Sequence, residues 1–149
     1  MGSDLFTPQG SPAEWARAHP SFFFNAGYAS EGELVSQLVL GVKTLGAQHI
    51  EVLTIDSWSI VAAHSDWLAT PVRFPIDDSG GFDQMTPFPE LGQNCTRPEF
   101  LVIAFAENVV MVGPSGTRVL HGRTDDMILD ALDKHKPWRR AIAFKGLRA

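Results

Sequence analysis

The sequence predicts an α+β fold in which two helices pack on one face of a single antiparallel sheet of five or six strands. Two observations support this: capping motifs mark helix starts in the first third of the chain, and tight turns join several β-rich runs. Strands joined by tight turns pair antiparallel, and amphipathic helices bury their apolar stripes against such a sheet. The predicted order is α-α-β-β, a long connection, then β-β-β-α-β. The 149 residues suit one globular domain over 1–149, with residues 1–10 as a flexible tail.

Capping residues mark the two N-terminal helices. The segment Ser11–Glu14 has the pattern of a capping box with proline at the first helical position, and it predicts a short helix. A second capping box at Ser30–Glu33 begins a helix over residues 31–45. Apolar residues at helical spacing, among them Leu38, form its buried stripe, and Gly46 stands where a C-capping glycine is expected. Leu38 is therefore predicted to be a core residue.

The strands are predicted from β-rich runs and the turns between them. Asp56-Ser57 separates the first two runs as a hairpin turn, and the continuously apolar Phe100–Phe105 predicts a central strand that is covered on both faces. Turns at Glu107-Asn108 and Gly113–Gly116 make that strand the first of a meander. The predicted strands are residues 50–55, 58–64, 100–106, 109–112, 117–121 and 139–145. Thr124 is expected to cap a third helix before the last strand.

Charge is distributed unevenly along the chain. Residues 1–133 hold all 17 acidic residues and six basic ones, a formal charge of −11, whereas residues 134–149 hold six basic residues and no acidic one. One interpretation is that the basic segment ends a helix and continues as a solvated edge strand. The other is that the acidic body attracts a cationic protein partner by electrostatic steering. A net-negative body argues against a general nucleic-acid binder, which must neutralise phosphates.

Composition narrows the class of protein further. No apolar run approaches the roughly 20 residues that cross a bilayer, so no membrane association is predicted. A single cysteine, Cys95, excludes an intramolecular disulfide and a cysteine-rich zinc site. The N-terminus shows neither the basic nor the apolar region of a secretory signal. These features predict a cytoplasmic protein.

The connection from residue 70 to residue 98 is rich in proline and glycine, yet apolar residues recur through it. Connections of this length in compact domains are usually functional or disordered, and the apolar residues argue against disorder. We expect an ordered cover over the sheet, held by Phe74, Phe82 and Phe88, with an edge strand near residues 72–76. It serves either as a structural lid or as a binding lid.

The motifs that usually mark catalysis or cofactor binding do not occur. The chain has no Walker A loop, GxGxxG, HExxH, CxxC or GxSxG sequence, so neither an enzyme nor a cofactor is predicted. His64 and Asp66, two apart on one strand, share a face and with His121 form a weak metal hypothesis. Strand-end residues satisfied by backbone or water are the preferred interpretation, and no metal site is predicted.

Two hypotheses about function remain. The first is a non-enzymatic, acidic protein-interaction domain, such as a bacterial immunity or antitoxin-like protein that neutralises a basic toxin domain; its candidate residues are Asp77, Asp78, Asp83 and Glu90. The alternative is a small-molecule binding domain or small enzyme with a pocket between the sheet and the 70–98 connection. Its candidate residues are His64, Asp66, Arg73, Arg97 and Glu99. N-terminal aromatic residues around Phe22–Phe24 suggest either a small second core or a homodimer contact.

Overall fold

A five-stranded antiparallel sheet forms the centre of the protein in the computed structural model, which describes residues 10–76, 82–134 and 138–148. The strands lie in the order β1-β2-β5-β3-β4, and every neighbouring pair is antiparallel. The strands are β1 Glu51–Ile55, β2 Trp58–Ala63, β3 Ala106–Gly113, β4 Gly116–His121 and β5 Arg140–Leu147. The α-helices are α1 Pro12–Ala18, α2 Glu31–Thr44, α3 Pro98–Phe105 and α4 Asp126–Lys134. The predicted α+β class and single antiparallel sheet are confirmed.

The local signals at the N-terminal helices and the first hairpin place these elements correctly. Ser11 Oγ accepts the N–H of Glu14, and the Glu14 carboxylate accepts the N–H of Ser11, so the first capping box is complete. At α2 only half of the box forms, because Ser30 Oγ accepts the N–H of Glu33 while the Glu33 carboxylate accepts the N–H of Asn25. Asp56-Ser57 adopts positive φ at both residues, the conformation of a two-residue turn that matches strand twist.

The segment Phe100–Phe105 is helical, so the predicted central strand is wrong. It belongs to α3, whose eight residues are all buried. A short run that is apolar at every position fits a strand or a helix equally well when it is covered on all sides, because periodicity then carries no information. Pro98 at the first helical position was the available signal for a helix. The predicted turn at Glu107-Asn108 is also wrong, since both residues lie in β3, and the meander reduces to the β3–β4 hairpin.

Strand β5, which belongs to the basic C-terminal segment, lies in the middle of the sheet rather than at a solvated edge. Strand β5 pairs with β2 on one side and with β3 on the other, and its first five residues are buried. Ile142, for example, lies opposite both Val61 and Met111. Alternation in a sequence identifies a strand but not its neighbours, which are set by pairing with residues far away in the chain.

The sheet separates two apolar cores. Val61 and Ile142 face the core that contains α1, α2 and α3, whereas Ile60 and Ala143 face the core that contains α4. Helices thus cover one face as predicted, with α3 among them, and α4 covers the opposite face. Asp125 caps α4 by accepting the N–H of Ile128 at 2.8 Å, and this bond holds the pKa of Asp125 below its ordinary value. The predicted cap, Thr124, therefore lies one residue before the actual one.

The long connection contributes side chains to the larger core. Ile76, Phe82 and Phe88 are buried there, but Phe74 is 38% exposed and does not anchor the connection. Residues 72–76 form no strand, which corrects that prediction. Over residues 86–97 the backbone folds back on itself, with an isolated bridge between Pro87 and Thr96.

Close packing of α2 on α3 depends on Gly41. A Cβ at this position would lie 2.6 Å from Cγ of Pro98, in the first turn of α3. We expect Gly41→Ala to destabilise the protein by about 1–3 kcal/mol, because the helices must move apart to admit the methyl group. Urea denaturation measures this change.

Gly32 provides the matched control on the same helix. A Cβ there meets no atom within 4 Å. Since alanine favours helix over glycine by up to about 1 kcal/mol, Gly32→Ala is expected to leave stability unchanged or raise it slightly. Equal effects of the two substitutions would contradict the proposed contact.

Candidate functional site

Two of the residues predicted to line a pocket form a buried ion pair instead. The guanidinium of Arg97 donates to both carboxylate oxygens of Glu99, at 3.1 and 2.9 Å, and each side chain is 2% exposed. The indole N–H of Trp67 donates to Glu99 Oε2 at 3.0 Å, and the guanidinium also lies 4.9 Å from the ring centroid of Phe88. These contacts hold the start of α3 against the 3₁₀ turn at Trp67–Ala69 and the connection. The pair therefore has a structural role.

Asp66 is engaged in a second ion pair, with Arg140 of the central strand. Its two carboxylate oxygens accept from Nε and Nη2 of Arg140 at 2.8 and 3.0 Å, and Oδ1 also accepts the N–H of Leu68. The guanidinium fits there because residue 113 is glycine: a Cβ at Gly113 would lie 2.5 Å from Nη1. Asp66 lines a cavity of about 520 Å³ beside Trp138 and Arg139.

His64 contacts Glu51 of β1, the strand next to β2. Its Nε2 is 3.5 Å from Glu51 Oε2, and its ring packs 4.9 Å from the ring of His49. His121 has another partner, the carbonyl oxygen of Glu107 at 2.9 Å. Within the ranges that the structure describes, no group of three histidine, cysteine or acidic side chains is arranged to hold a metal ion. The weak metal hypothesis therefore gains no support.

The predicted protein-binding carboxylates fall into two sets. Asp77 and Asp78 lie outside the described residues. Asp83 and Glu90 are both exposed. Glu90 Oε2 accepts the backbone N–H of Arg73 at 2.8 Å, and this hydrogen bond lowers the pKa of Glu90. The Arg73 side chain is exposed, with its guanidinium 5.3 Å from the centroid of the Phe74 ring.

Two adjoining surface cavities, of about 430 and 310 Å³, lie along the connection. Four residues line both of them: Met85, Asn94, Cys95 and Thr96. We name the combined cavities the loop groove. The other residues that line the larger cavity are Arg73, Phe74, Pro87, Phe88, Pro89, Gly92 and Gln93. Those that line the smaller cavity are Trp15, Phe22, Phe23, Gln37, Leu91 and Leu101. Of the five predicted pocket residues, only Arg73 lines the loop groove.

The loop groove was missed at the sequence level because its walls come from distant parts of the chain. The N-terminal aromatic residues and the connection line the groove together, and the sequence of neither segment predicts this tertiary contact. The three consecutive phenylalanines differ in exposure, since Phe22 is 71% exposed, Phe23 is half-buried and Phe24 is buried. Three consecutive rings cannot all face the same side of a regular element.

Acidic and basic side chains differ in their exposure. Among the side chains whose exposure the structure describes, eight carboxylates are exposed but only four cationic groups. The exposed carboxylates are Glu14, Asp56, Asp83, Glu90, Glu107, Asp126, Asp130 and Asp133, and the exposed cations are Lys43, Arg73, Arg123 and Arg139. Burial of Arg97 and Arg140 accounts for part of this difference.

The comparisons with known proteins leave the geometry as the basis for assigning a function. No protein-family model matches the chain, and no curated protein or solved structure matches it. Across residues 10–76, 82–134 and 138–148, none of the helices combines the length and apolar character needed to cross a membrane.

Proposed function

We propose that this protein is a non-enzymatic binding domain whose acidic surface docks a cationic protein. The observation that supports the proposal is the sorting of charge between interior and surface. Among the side chains that the structure describes, two arginines but one glutamate are buried, and exposed carboxylates outnumber exposed cations eight to four. Net-negative surfaces attract cationic partners and raise their association rates.

The basic residues are withdrawn from the surface in two ways. Arg97 and Arg140 are buried in ion pairs with Glu99 and Asp66. Arg17 and Arg148 are half-buried and donate to backbone carbonyls at the C-terminal end of α3, where a helix dipole favours positive charge. Within the C-terminal basic segment, Arg140 therefore pairs with Asp66 and Arg148 binds backbone carbonyls.

The partner that fits this surface is a compact basic protein. One function of this kind is that of an immunity or antitoxin-like protein, which neutralises a basic toxin domain by binding it. The alternative ligand pocket has less support. Arg97, Glu99 and Asp66 satisfy one another or Arg140 through ion pairs, and His64 contacts Glu51. Side chains engaged in this way are not converging on a shared ligand.

The loop carboxylates provide the first test of the proposal. The partner is recovered by affinity capture from the native host, purified, and its binding kinetics measured over a range of salt concentrations. We expect the variant with Asp77→Asn, Asp78→Asn, Asp83→Asn and Glu90→Gln to associate about tenfold more slowly at low ionic strength, because steering charges act mainly on the association rate.

A second variant removes the same charge from other parts of the surface: Asp56→Asn, Glu107→Gln, Asp126→Asn and Asp130→Asn. We expect it to slow association by roughly twofold or less, since these charges lie on other elements, at the β1–β2 turn, on β3 and on α4, and solvent screens them. If both variants slow association equally, the loop carboxylates are not part of the interface. Failure to recover a basic partner, or an association rate that does not respond to salt, would overturn the proposed function.

A further inference from the structure

The loop groove gathers much of the exposed apolar surface. The large apolar side chains exposed in the described part of the chain are Trp15, Phe22, Tyr28, Leu40, Val52, Phe74, Met85, Val119 and Met127. Four of them, Trp15, Phe22, Phe74 and Met85, line the groove. Single exposed apolar side chains are ordinary, but a contiguous group of this kind usually marks an interaction site.

The groove is also shaped in a way that suits an extended segment. Its two cavities adjoin through Met85 and Cys95, so an occupant can run from the Phe74 end to the Phe22 end. Amide and hydroxyl side chains, including Asn94 and Thr96, are among the residues that line both cavities. Such groups can hydrogen-bond to a peptide backbone while the apolar pockets receive side chains.

Charge around the groove favours a basic occupant. Gln37, which lines the smaller cavity, donates to Glu33 at 3.1 Å, so a carboxylate stands beside that end. Asp83 is exposed two residues before Met85. At the other end Arg73 is the cationic residue of the lining, and its own backbone N–H holds the carboxylate of Glu90 beside it. Among the described residues that line the cavities, Arg73 is thus the one charged residue, and the carboxylates of Glu33 and Glu90 each hydrogen-bond to a lining residue at one end.

We propose that the loop groove binds a segment of the cationic partner in which aromatic or aliphatic residues are interspersed with lysine or arginine. The inference rests on the proposed function and names how the partner docks. Apolar side chains of the segment fill the two cavities, and its cations meet Glu33, Asp83 and Glu90 at the rim. Buried apolar anchors supply the affinity in such interfaces, whereas the rim charges supply the steering.

Cys95 provides a reporter inside the groove. It is the single cysteine of the chain, it is half-buried, and it lines both cavities. The probe is a synthetic acetylated octapeptide that alternates lysine with phenylalanine and leucine, and the measured quantity is the rate at which Cys95 reacts with iodoacetamide. At a peptide concentration ten times its Kd, we expect the rate to fall about tenfold, because only the unoccupied protein reacts.

Two further peptides separate the contributions of charge and apolar contact. In one, every lysine is replaced by glutamate, and in the other every phenylalanine and leucine is replaced by serine. We expect neither to protect Cys95 at the same concentration. Equal protection by the glutamate peptide would overturn the basic character of the occupant, and equal protection by the serine peptide would overturn the role of the cavities.

Variants of the protein locate the binding site. Met85→Ser and Phe22→Ser are expected to weaken peptide binding about tenfold each, because each removes apolar contact from one cavity. Met127→Ser and Tyr28→Ser change exposed side chains that do not line the groove, and they should leave the affinity within about twofold. Equal weakening by both pairs would overturn the inference, as would protection of Cys95 that rises with protein concentration alone, which would indicate a second copy as occupant.

This experiment and the test of the proposed function fail in distinguishable ways. Absence of protection by the lysine peptide overturns the groove as a docking site. The proposed function is judged separately, by the salt dependence of association with the recovered partner and by the two charge variants.

Discussion

Arg97→Met is expected to lower the free energy of unfolding by about 3–5 kcal/mol, because it leaves the buried Glu99 carboxylate without its counter-ion. Each member of the pair is 2% exposed, so water cannot replace the lost hydrogen bonds. Among the hydrogen bonds of the described residues, the one from the indole N–H of Trp67 to Glu99 would remain. Urea denaturation monitored by tryptophan fluorescence measures the loss.

Two companion variants test this explanation. Adding Glu99→Gln to Arg97→Met is expected to restore much of the stability, since a neutral amide costs less to bury than a carboxylate and still accepts from Trp67. Arg73→Met, which changes an exposed arginine of the same connection, should alter stability by no more than about 0.5 kcal/mol. Equal losses in the single and double variants would show that the uncompensated charge is not the cause.

Leu38→Ala is expected to destabilise the protein by about 2–5 kcal/mol, because it removes buried methyl groups and leaves a cavity. Leu38 is fully buried in the core that α2 forms with the sheet and α3, as its place in the apolar stripe predicts. The change should appear as a lower denaturation midpoint with an unaltered slope against urea concentration.

The matched control lies two residues further along the same helix. Leu40 is 51% exposed, so Leu40→Ala removes side-chain contact with solvent rather than with the core. We expect an effect within about 0.5 kcal/mol. A midpoint for Leu38→Ala that equals that of the wild type would contradict the position of α2 against the sheet.

The two proposals about binding concern different physical contributions to one interface. Substitution of exposed carboxylates should act mainly on the association rate, whereas loss of apolar anchors in the loop groove should act mainly on the dissociation rate. Association and dissociation rates measured with the recovered partner therefore separate the two contributions, even when the carboxylate variant and the groove variants both weaken equilibrium binding.

Local chemistry in the sequence was sufficient for several elements. Four features were predicted from residues that are close together in the chain. They are the Ser11–Glu14 capping box, the start of α2 at Glu31, the positive-φ turn at Asp56-Ser57 and the buried position of Leu38. Capping, turn formation and amphipathic spacing depend on neighbours close in the chain, so a single sequence contains the necessary information.

The candidate site was predicted less well, for two different reasons. Arg97, Glu99 and Asp66 were identified as polar groups near the ends of the connection, but their partners were not, because Asp66 pairs with Arg140, 74 positions away. The loop groove was not predicted at all, since it exists only where N-terminal aromatic residues meet the connection.

The sequence by itself determined the α+β class, the antiparallel hairpins, the main amphipathic helix and the acidic character of the chain. Only the tertiary structure decided that Phe100–Phe105 is a helix, that β5 lies in the centre of the sheet, and that α4 covers the opposite face. The physical reason is that a continuously apolar segment takes whichever backbone its surroundings can cover on all sides, and strand neighbours are chosen by long-range pairing. Those choices also buried Arg97 and Arg140, and so determined which charges remain on the surface.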